Sequence, residues 1–79
     1  MNYDHDKVDE IVLALLYLTT FHEHGIARAW KGQDWDVLDR LQQRGFISDP
    51  RNANRSVVMT EEGLKRSEEL FRAHFGKGT

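Results

Sequence analysis

The sequence predicts an α+β fold, in which three main helices accompany a two- or three-stranded β-hairpin. Three observations predict it. The length of 79 residues allows a single domain. Three segments carry apolar residues at helical spacing, and two short strand-like runs flank a turn-rich loop between the second and the third of them. We assign the domain to residues 1–75 and expect residues 76–79 to form a flexible tail.

The first helix begins near Asp4 or Asp6, because either side chain can cap its N-terminus. Its main apolar stripe follows the helical period. The stripe contains Val8, Ile11, Val12, Leu15, Leu18, Thr19 and His22. We expect the helix to end between Glu23 and Gly25, with Gly25 as the C-terminal stop and with His22 and His24 near the negative end of the helix dipole.

A second apolar line lies on nearly the opposite side of the first helix. It consists of Leu13, Tyr17 and Phe21 at i, i+4 spacing. A helix that is apolar on two sides is buried between neighbours. The second side is covered either by the other two helices of the same chain or by a second copy, and the sequence leaves both alternatives open. With Trp30, these three residues are the candidate protein interface.

The middle of the chain contains an ambiguous segment followed by a clear helix. Residues 26–33 fit either one or two turns of helix or a short strand. Asp34 is a good N-cap for a second helix that ends at Gly45. We expect its apolar side to carry Trp35, Val37, Leu38 and Leu41, and its polar side to carry Asp36, Asp39, Arg40 and Gln43.

The C-terminal half predicts a hairpin and a third helix. Residues 46–49 and 56–59 are typical of short strands, and the turn-rich loop 50–55 between them completes a β-hairpin. Thr60 caps the last helix, with acidic side chains in its first turn. We expect Leu64, Phe71 and Phe75 to line its buried side, flanked by Leu70.

The order helix, short element, helix, hairpin, helix is that of a winged-helix domain, and one stretch resembles known regulators. The residues are Leu38-x-x-Leu41-x-x-x-Gly45-Phe46-Ile47, a polar loop, and then Ser56-Val57-Val58-Met59-Thr60-Glu61-Glu62-Gly63. This pattern is similar to MarR-like and PadR-like regulators, in which the recognition helix runs into the wing and a Thr-Glu-Glu-Gly turn opens the next helix. The resemblance covers residues 34–70 and implies a winged-helix-like fold.

The whole chain also resembles a family of short bacterial proteins catalogued as a domain of unknown function. The shared stretches are Leu-Ala-Leu-Leu-Tyr-Leu-Thr-Thr-Phe-His-Glu (13–23) and Arg-Ala-Trp-Lys-Gly-x-Asp-Trp-Asp-Val-Leu-Asp-Arg-Leu (28–41). This likeness implies no known activity.

The composition excludes several classes of function. The chain has no cysteine, which excludes disulfides, thiolate metal sites and a cysteine nucleophile. Its longest apolar run, residues 11–18, is much shorter than the roughly twenty residues that a transmembrane helix needs. Met1 to Asp4 lack the basic start and apolar core of a secretory signal. We therefore expect a cytoplasmic protein with no membrane partner.

No pattern in the chain indicates catalysis, a cofactor or a metal site. His22 and His24 would point about 200° apart on a helix, so they cannot face one ion there. Asp34, Asp36 and Asp39 fit a helix cap and a solvated face, and paired carboxylates need a shared pocket to shift their pKa values. No serine lies in a nucleophile elbow, and there is no Gly-rich phosphate loop. We expect no enzyme activity, no cofactor, no metal and no small-molecule substrate.

Charge is divided unequally between the two halves of the chain. Residues 1–39 hold eight acidic and three basic side chains, whereas residues 40–79 hold five acidic and eight basic ones. The candidates for nucleic-acid contact come from the second helix and the wing loop: Arg40, Arg44, Arg51, Asn52, Asn54 and Arg55. Aspartates on the exposed side of the second helix would repel DNA phosphates. The wing is therefore the better place for a nucleic-acid contact.

These observations favour a non-enzymatic interaction module that forms a homodimer or binds a protein partner. The alternative is a small DNA-binding transcriptional regulator that contacts DNA through the wing. The preference rests on the two-sided first helix and the acidic side of the second. We also expect Trp35 and Leu41 to lie in the core, and Gly45 to leave the second helix in a left-handed conformation.

Overall fold

A computed structural model describes residues 1–78, so Thr79, the last residue of the predicted tail, lies outside the described residues. The elements are α1 (His5–Leu18), β1 (Phe21–Glu23), β2 (Ile26–Trp30), α2 (Trp35–Gln43), β3 (Ser56–Val58) and α3 (Glu61–Phe75). The strands form one antiparallel sheet in the order β1-β2-β3. The predicted α+β, winged-helix-like fold is confirmed.

The core lies where α1 meets α3, α2 and the inner face of the sheet. Its buried apolar residues are Leu13, Ala14, Leu16, Ala29, Val37, Leu38, Leu41, Ile47, Val57, Met59 and Leu70. The most extensive packing is between α1 and α3. The molecule is flat, measuring 36 × 34 × 18 Å. Its shortest dimension is less than two helix diameters, so no outer layer covers both sides of α1.

α1 begins where the sequence predicts and ends earlier. The Asp4 carboxylate accepts a hydrogen bond of 3.1 Å from the backbone N–H of Lys7, as expected of an N-cap. The prediction that the helix continues to Glu23–Gly25 is wrong, because it ends at Leu18. The Thr20 hydroxyl donates to the backbone oxygen of Leu16 at 2.7 Å and so satisfies a carbonyl of the last turn.

The residues after Thr20 form a tight β-hairpin instead of a last helical turn. His24 and Gly25 have φ values of 53° and 78° and form a two-residue turn between β1 and β2. Two positive φ angles are what a type I′ hairpin turn requires. Gly25 is therefore a hairpin residue and not a helix stop, and His22 lies on a strand. The hairpin also resolves the ambiguous segment 26–33, because its first part is β2.

Only one of the two apolar sides of α1 is fully buried within the chain. The buried residues of the helix are Asp9, Leu13, Ala14 and Leu16. In the predicted main stripe, Leu15 is 37% and Leu18 is 63% exposed, whereas Val8 and Val12 are partly buried against the core. The expectation that the main stripe is buried is therefore wrong for Leu15 and Leu18, because the core of the chain lies against the side of Leu13 and Leu16.

α2 has the predicted cap and a smaller apolar side than expected. The Asp34 carboxylate accepts hydrogen bonds from the backbone N–H groups of Asp36 and Val37 at 3.1 and 3.3 Å. Leu41 is buried as expected, but Trp35 is 50% exposed. The core assignment of Trp35 is wrong, because this residue stands at the start of the helix, beyond the core that the other three apolar residues reach.

The exit of α2 confirms the prediction for Gly45, and the wing differs from its prediction. Gly45 has a φ of 80°, the left-handed conformation that glycine adopts without strain. Residues 46–49 do not form a strand: Ile47 makes an isolated bridge to Met59. β3 pairs instead with β2, since the β1–β2 hairpin already provides an edge for it. Of the two- and three-stranded alternatives, the structure has the three-stranded sheet, with β1 and β2 in place of the expected strand at residues 46–49.

α3 is joined to the exit of α2 by one side chain. The Thr60 hydroxyl accepts a hydrogen bond of 2.9 Å from the backbone N–H of Gly63 and donates one of 2.6 Å to the backbone oxygen of Gly45. Leu70 is buried, but Phe75 in the last turn is exposed. The expectation that Phe75 is buried is wrong, because this residue stands at the very end of α3.

Gly63 is required by a close approach of two backbone segments. A Cβ atom at this position would meet the backbone oxygen of Phe46 at only 1.8 Å. We expect Gly63→Ala to lower the free energy of unfolding by about 1–3 kcal/mol, the usual cost of an overpacked position. Gly32→Ala is the matched control, because nothing lies within 4 Å of its Cβ position. Similar thermal melts for the two variants would show that the approach of Phe46 is not a constraint.

The exposures of Leu41 and Trp35 predict very different costs of truncation. Leu41→Ala creates a cavity in the core, and we expect it to cost about 2–5 kcal/mol of unfolding free energy. Trp35→Ala removes a half-exposed ring, and we expect a loss of about 1 kcal/mol or less. Urea denaturation of both variants measures the difference. A larger loss for Trp35→Ala than for Leu41→Ala would contradict this assignment of the core.

Candidate interaction surfaces

The four candidate protein-interface residues do not form one surface. Leu13 is buried in the core, where its own chain covers it. Tyr17 is half-buried against Phe71 of α3, with ring centroids 5.5 Å apart. Phe21 and Trp30 lie together on the sheet, with centroids 4.8 Å apart. The structure therefore divides the predicted interface into a core part and a sheet part.

The apolar surface that α1 leaves uncovered is the stripe on its outward side. This outer stripe consists of Val8, Ile11, Val12, Leu15 and Leu18. The valines are partly buried and pack against the edge of the core, whereas Leu15 and Leu18 are exposed. Residues 11–18 contain no charged side chain. Exposed apolar residues grouped in this way are typical of interaction surfaces.

The candidate Arg40 binds a carboxylate within the fold. Its Nε and Nη2 groups donate to the two Asp9 carboxylate oxygens at 2.7 and 2.8 Å, and Asp9 is buried. This bidentate hydrogen bonding raises the pKa of the Arg40 guanidinium above its ordinary value. The pair joins α2 to α1 across 31 residues of sequence. Arg40, which the sequence places on the polar side of α2, is therefore engaged by α1.

The candidates Arg44, Arg51 and Asn52 also have partners within residues 1–78. The Arg51 guanidinium donates to the Asp39 carboxylate at 2.8 Å and lies over the Trp35 ring, 5.3 Å from its centroid. Arg44 lies 5.1 Å from the centroid of the Phe46 ring.

Asn52 organises the wing loop. Its Oδ1 accepts from the Lys31 ammonium at 3.1 Å and from the backbone N–H of Asn54 at 2.7 Å, while its Nδ2 donates to two backbone oxygens of the loop. The polar atoms of this side chain are therefore used mainly in hydrogen bonds that hold the loop together. The loop in turn determines where the next residues, Asn54 and Arg55, reach the sheet.

Candidates of both kinds meet in one shallow cleft on the outer face of the sheet. This sheet cleft has a volume of about 260 Å³. It is lined by Phe21, Glu23, Arg28, Trp30, Asn54, Arg55 and Ser56. Phe21 lies opposite Arg28 on the neighbouring strand, and Trp30 lies opposite Ser56. Residues paired in this way project from the same face of a sheet.

Arg28 is the central cleft residue that the sequence analysis missed. Its Nε donates to the Ser56 hydroxyl at 2.7 Å, and its Nη2 donates to the backbone oxygen of Ser56 at 3.4 Å. The alternation of Arg28 and Trp30 with buried Ala29 was the available signal, because alternation indicates one exposed strand face. That signal requires the segment to be a strand, which the sequence left open.

The described residues contain no cluster of metal-ligating side chains and no helix suited to crossing a membrane. No group of three or more His, Asp or Glu side chains in residues 1–78 is placed to hold a metal. His22 lies on β1 and His24 lies in the hairpin turn, so the helix argument that separated them does not apply. None of the helices in residues 1–78 is long and apolar enough to span a bilayer.

Comparison with known proteins gives a family and a close relative. A family model described as a domain of unknown function (DUF6429) matches residues 4–77. The chain belongs to this family. It is similar to "Uncharacterized protein y4hR" of Sinorhizobium fredii (strain NBRC 101917 / NGR234), with 56% identity over 75 residues, which cover 95% of this chain and 97% of the relative. No solved structure matches the chain. The predicted resemblance to a bacterial domain of unknown function is confirmed.

The Arg40–Asp9 pair predicts a specific pattern of stabilities. Arg40→Met leaves the buried Asp9 carboxylate without its partner, and we expect a clear loss of unfolding free energy because an unpaired buried charge is strongly destabilising. Asp9→Leu combined with Arg40→Met removes both charges, and we expect it to recover most of that loss in urea denaturation. Arg51→Met breaks the exposed pair with Asp39 and serves as the control, with an expected loss of about 1 kcal/mol or less. Equal losses of unfolding free energy for Arg40→Met and Arg51→Met would contradict the conclusion that the buried Asp9 carboxylate needs its partner.

Proposed function

We propose that this chain is a non-enzymatic interaction module that self-associates through the outer stripe of α1. The observation that carries the proposal is the exposure of Leu18 and Leu15 on a helix whose other side is already packed against α2 and α3. Removing such side chains from water is favourable by roughly 25 cal/mol for each Å² of apolar surface. Covering the stripe with a second molecule would therefore stabilise the complex relative to the separate chains.

A second copy suits the outer stripe better than a charged partner does. The stripe runs over residues 8–18, about 15 Å of helix at the usual rise, and its second half contains no charge that would repel an identical surface. A two-fold axis through the middle of the stripe would bring apolar residues onto apolar residues. The flat shape of the molecule leaves this side of α1 without an outer layer. The small size of the patch favours a weak, concentration-dependent dimer.

The alternative, a DNA-binding regulator that uses the wing, has less support. Two of its arginines, Arg40 and Arg51, already have carboxylate partners at hydrogen-bond distance. Asp36 is exposed on α2, the helix that would enter a DNA groove, and its carboxylate would repel phosphates. These contacts favour a protein partner over duplex DNA.

Leu18→Glu tests the self-association. We expect the wild-type chain to shift from monomer to dimer in sedimentation equilibrium between roughly 10 μM and 1 mM, the range of a weak interface. A glutamate in the stripe would be buried against its own copy, so we expect the dimer to weaken at least tenfold. Because Leu18 is largely exposed in the monomer, the variant should still fold.

Ile26→Glu is the matched control, since Ile26 is also an exposed apolar residue but lies on the sheet. We expect this variant to dimerise like the wild type. A wild-type chain that stays monomeric up to about 1 mM would overturn the proposal. So would a dimer that Leu18→Glu leaves intact and Ile26→Glu abolishes.

A further inference from the structure

The sheet cleft presents an exposed aromatic pair beside arginine. Trp30 is 56% exposed, and its ring is tilted by 30° from that of Phe21 at a centroid distance of 4.8 Å. Arg28 lies beside them on the same face, as the cross-strand partner of Phe21 and two residues before Trp30. A large aromatic surface that is exposed on a packed sheet, and is not part of the core, is a ready stacking platform.

Within the described residues, the two arginines of the cleft form no ion pair, and one of them is held in place. Arg28 is oriented by two hydrogen bonds to Ser56, which are made to a hydroxyl and a backbone oxygen and so leave its charge uncompensated. Arg55 is exposed, and none of the ion pairs among residues 1–78 includes Arg28 or Arg55. This distinguishes them from Arg40 and Arg51. Glu23 is the one carboxylate of the lining, so the cleft has a positive balance.

We infer that the sheet cleft binds single-stranded nucleic acid. The unpaired bases would stack on Trp30 and Phe21, and the phosphates would contact Arg28 and Arg55. Stacking platforms combined with cations that follow the backbone are the usual means of holding single strands. The cleft is shallow and open, which allows a strand to continue past it in both directions. This inference is independent of the outer stripe of α1 and of dimerisation.

Two competing ligands fit the cleft less well. An acidic peptide would meet the arginines but offers no flat rings to the aromatic pair. Duplex DNA keeps its bases stacked inside the helix, where Trp30 cannot reach them without flipping a base. The combination of both kinds of contact in one cleft therefore favours single strands. The comparison of these three ligands forms part of the test.

Trp30 itself can report the binding. The chain has two tryptophans, so a Trp35→Phe background leaves Trp30 as the only one. We expect its fluorescence to be quenched on titration with a ten-nucleotide oligothymidylate or oligouridylate. The logarithm of the affinity should fall against the logarithm of the salt concentration with a slope of roughly −1.4, as two phosphate contacts with a single strand predict.

Substitutions in the cleft separate stacking from charge. Trp30→Ala should weaken binding of a fluorescently labelled oligonucleotide roughly tenfold or more, measured by anisotropy in the presence of Trp35. Arg55→Gln should weaken it and reduce the salt slope by about 0.7. Arg72→Gln is the control, because it removes an exposed arginine of α3 that pairs with Glu68 and lies far along the chain from the cleft. We expect its affinity to equal that of the wild type.

Several results would overturn the inference. One is the absence of quenching up to about 1 mM oligonucleotide, because the dissociation constant would then be too high for specific binding. Another is equal affinity for the matching duplex or for a poly-glutamate peptide, because neither ligand can stack on Trp30. A third is binding that Trp30→Ala and Arg55→Gln weaken no more than Arg72→Gln does.

Discussion

The buried Asp9 carboxylate constrains the arrangement of this domain, because as long as it is charged it must be paired, and Arg40 is its partner. A buried carboxylate needs a charged, hydrogen-bonded partner, and Arg40 reaches it from α2 at 2.7 and 2.8 Å. Because Leu13 and Leu16 follow Asp9 at i+4 and i+7, the contact that turns Asp9 inward turns them inward too. The outer stripe of α1 is the remaining side of the helix. Because its guanidinium is bound to Asp9, Arg40 is not available for contact with nucleic acid.

The second determining feature is the early end of α1. The threonines after Leu18 cap its last turn, and the two-residue turn at His24–Gly25 returns the chain as β2. The edge of β2 then takes β3 as its partner, so the expected wing strand at residues 46–49 is reduced to one bridge. This pairing carries Arg55, at the end of the wing loop, to Trp30. The sheet cleft therefore exists only because of a strand pairing between distant parts of the chain.

The two surfaces differ in chemistry and can be tested separately. The outer stripe is apolar and uncharged over residues 11–18, whereas the sheet cleft combines an aromatic pair with unneutralised arginines. If both proposals hold, a dimer presents two clefts. Two weak sites on one assembly raise the effective concentration of a strand that reaches both. Such a module would bind longer single strands more tightly than short ones without any new contact.

The sequence by itself determined the features that depend on neighbouring residues: the caps at Asp34 and Thr60, the extent of α3, the left-handed Gly45 and the family resemblance. It restricted the cap of α1 to Asp4 or Asp6, and the structure has Asp4. Only the tertiary structure decided which side of α1 is buried, that Trp35 is half-exposed, and which strand β3 joins. The reason is physical. The hydrogen bonds of caps and turns are made by atoms a few residues away, so the local sequence determines them. Two apolar sides of one helix look equivalent in the sequence, because contacts with distant residues, here Arg40 and α3, determine which side is buried.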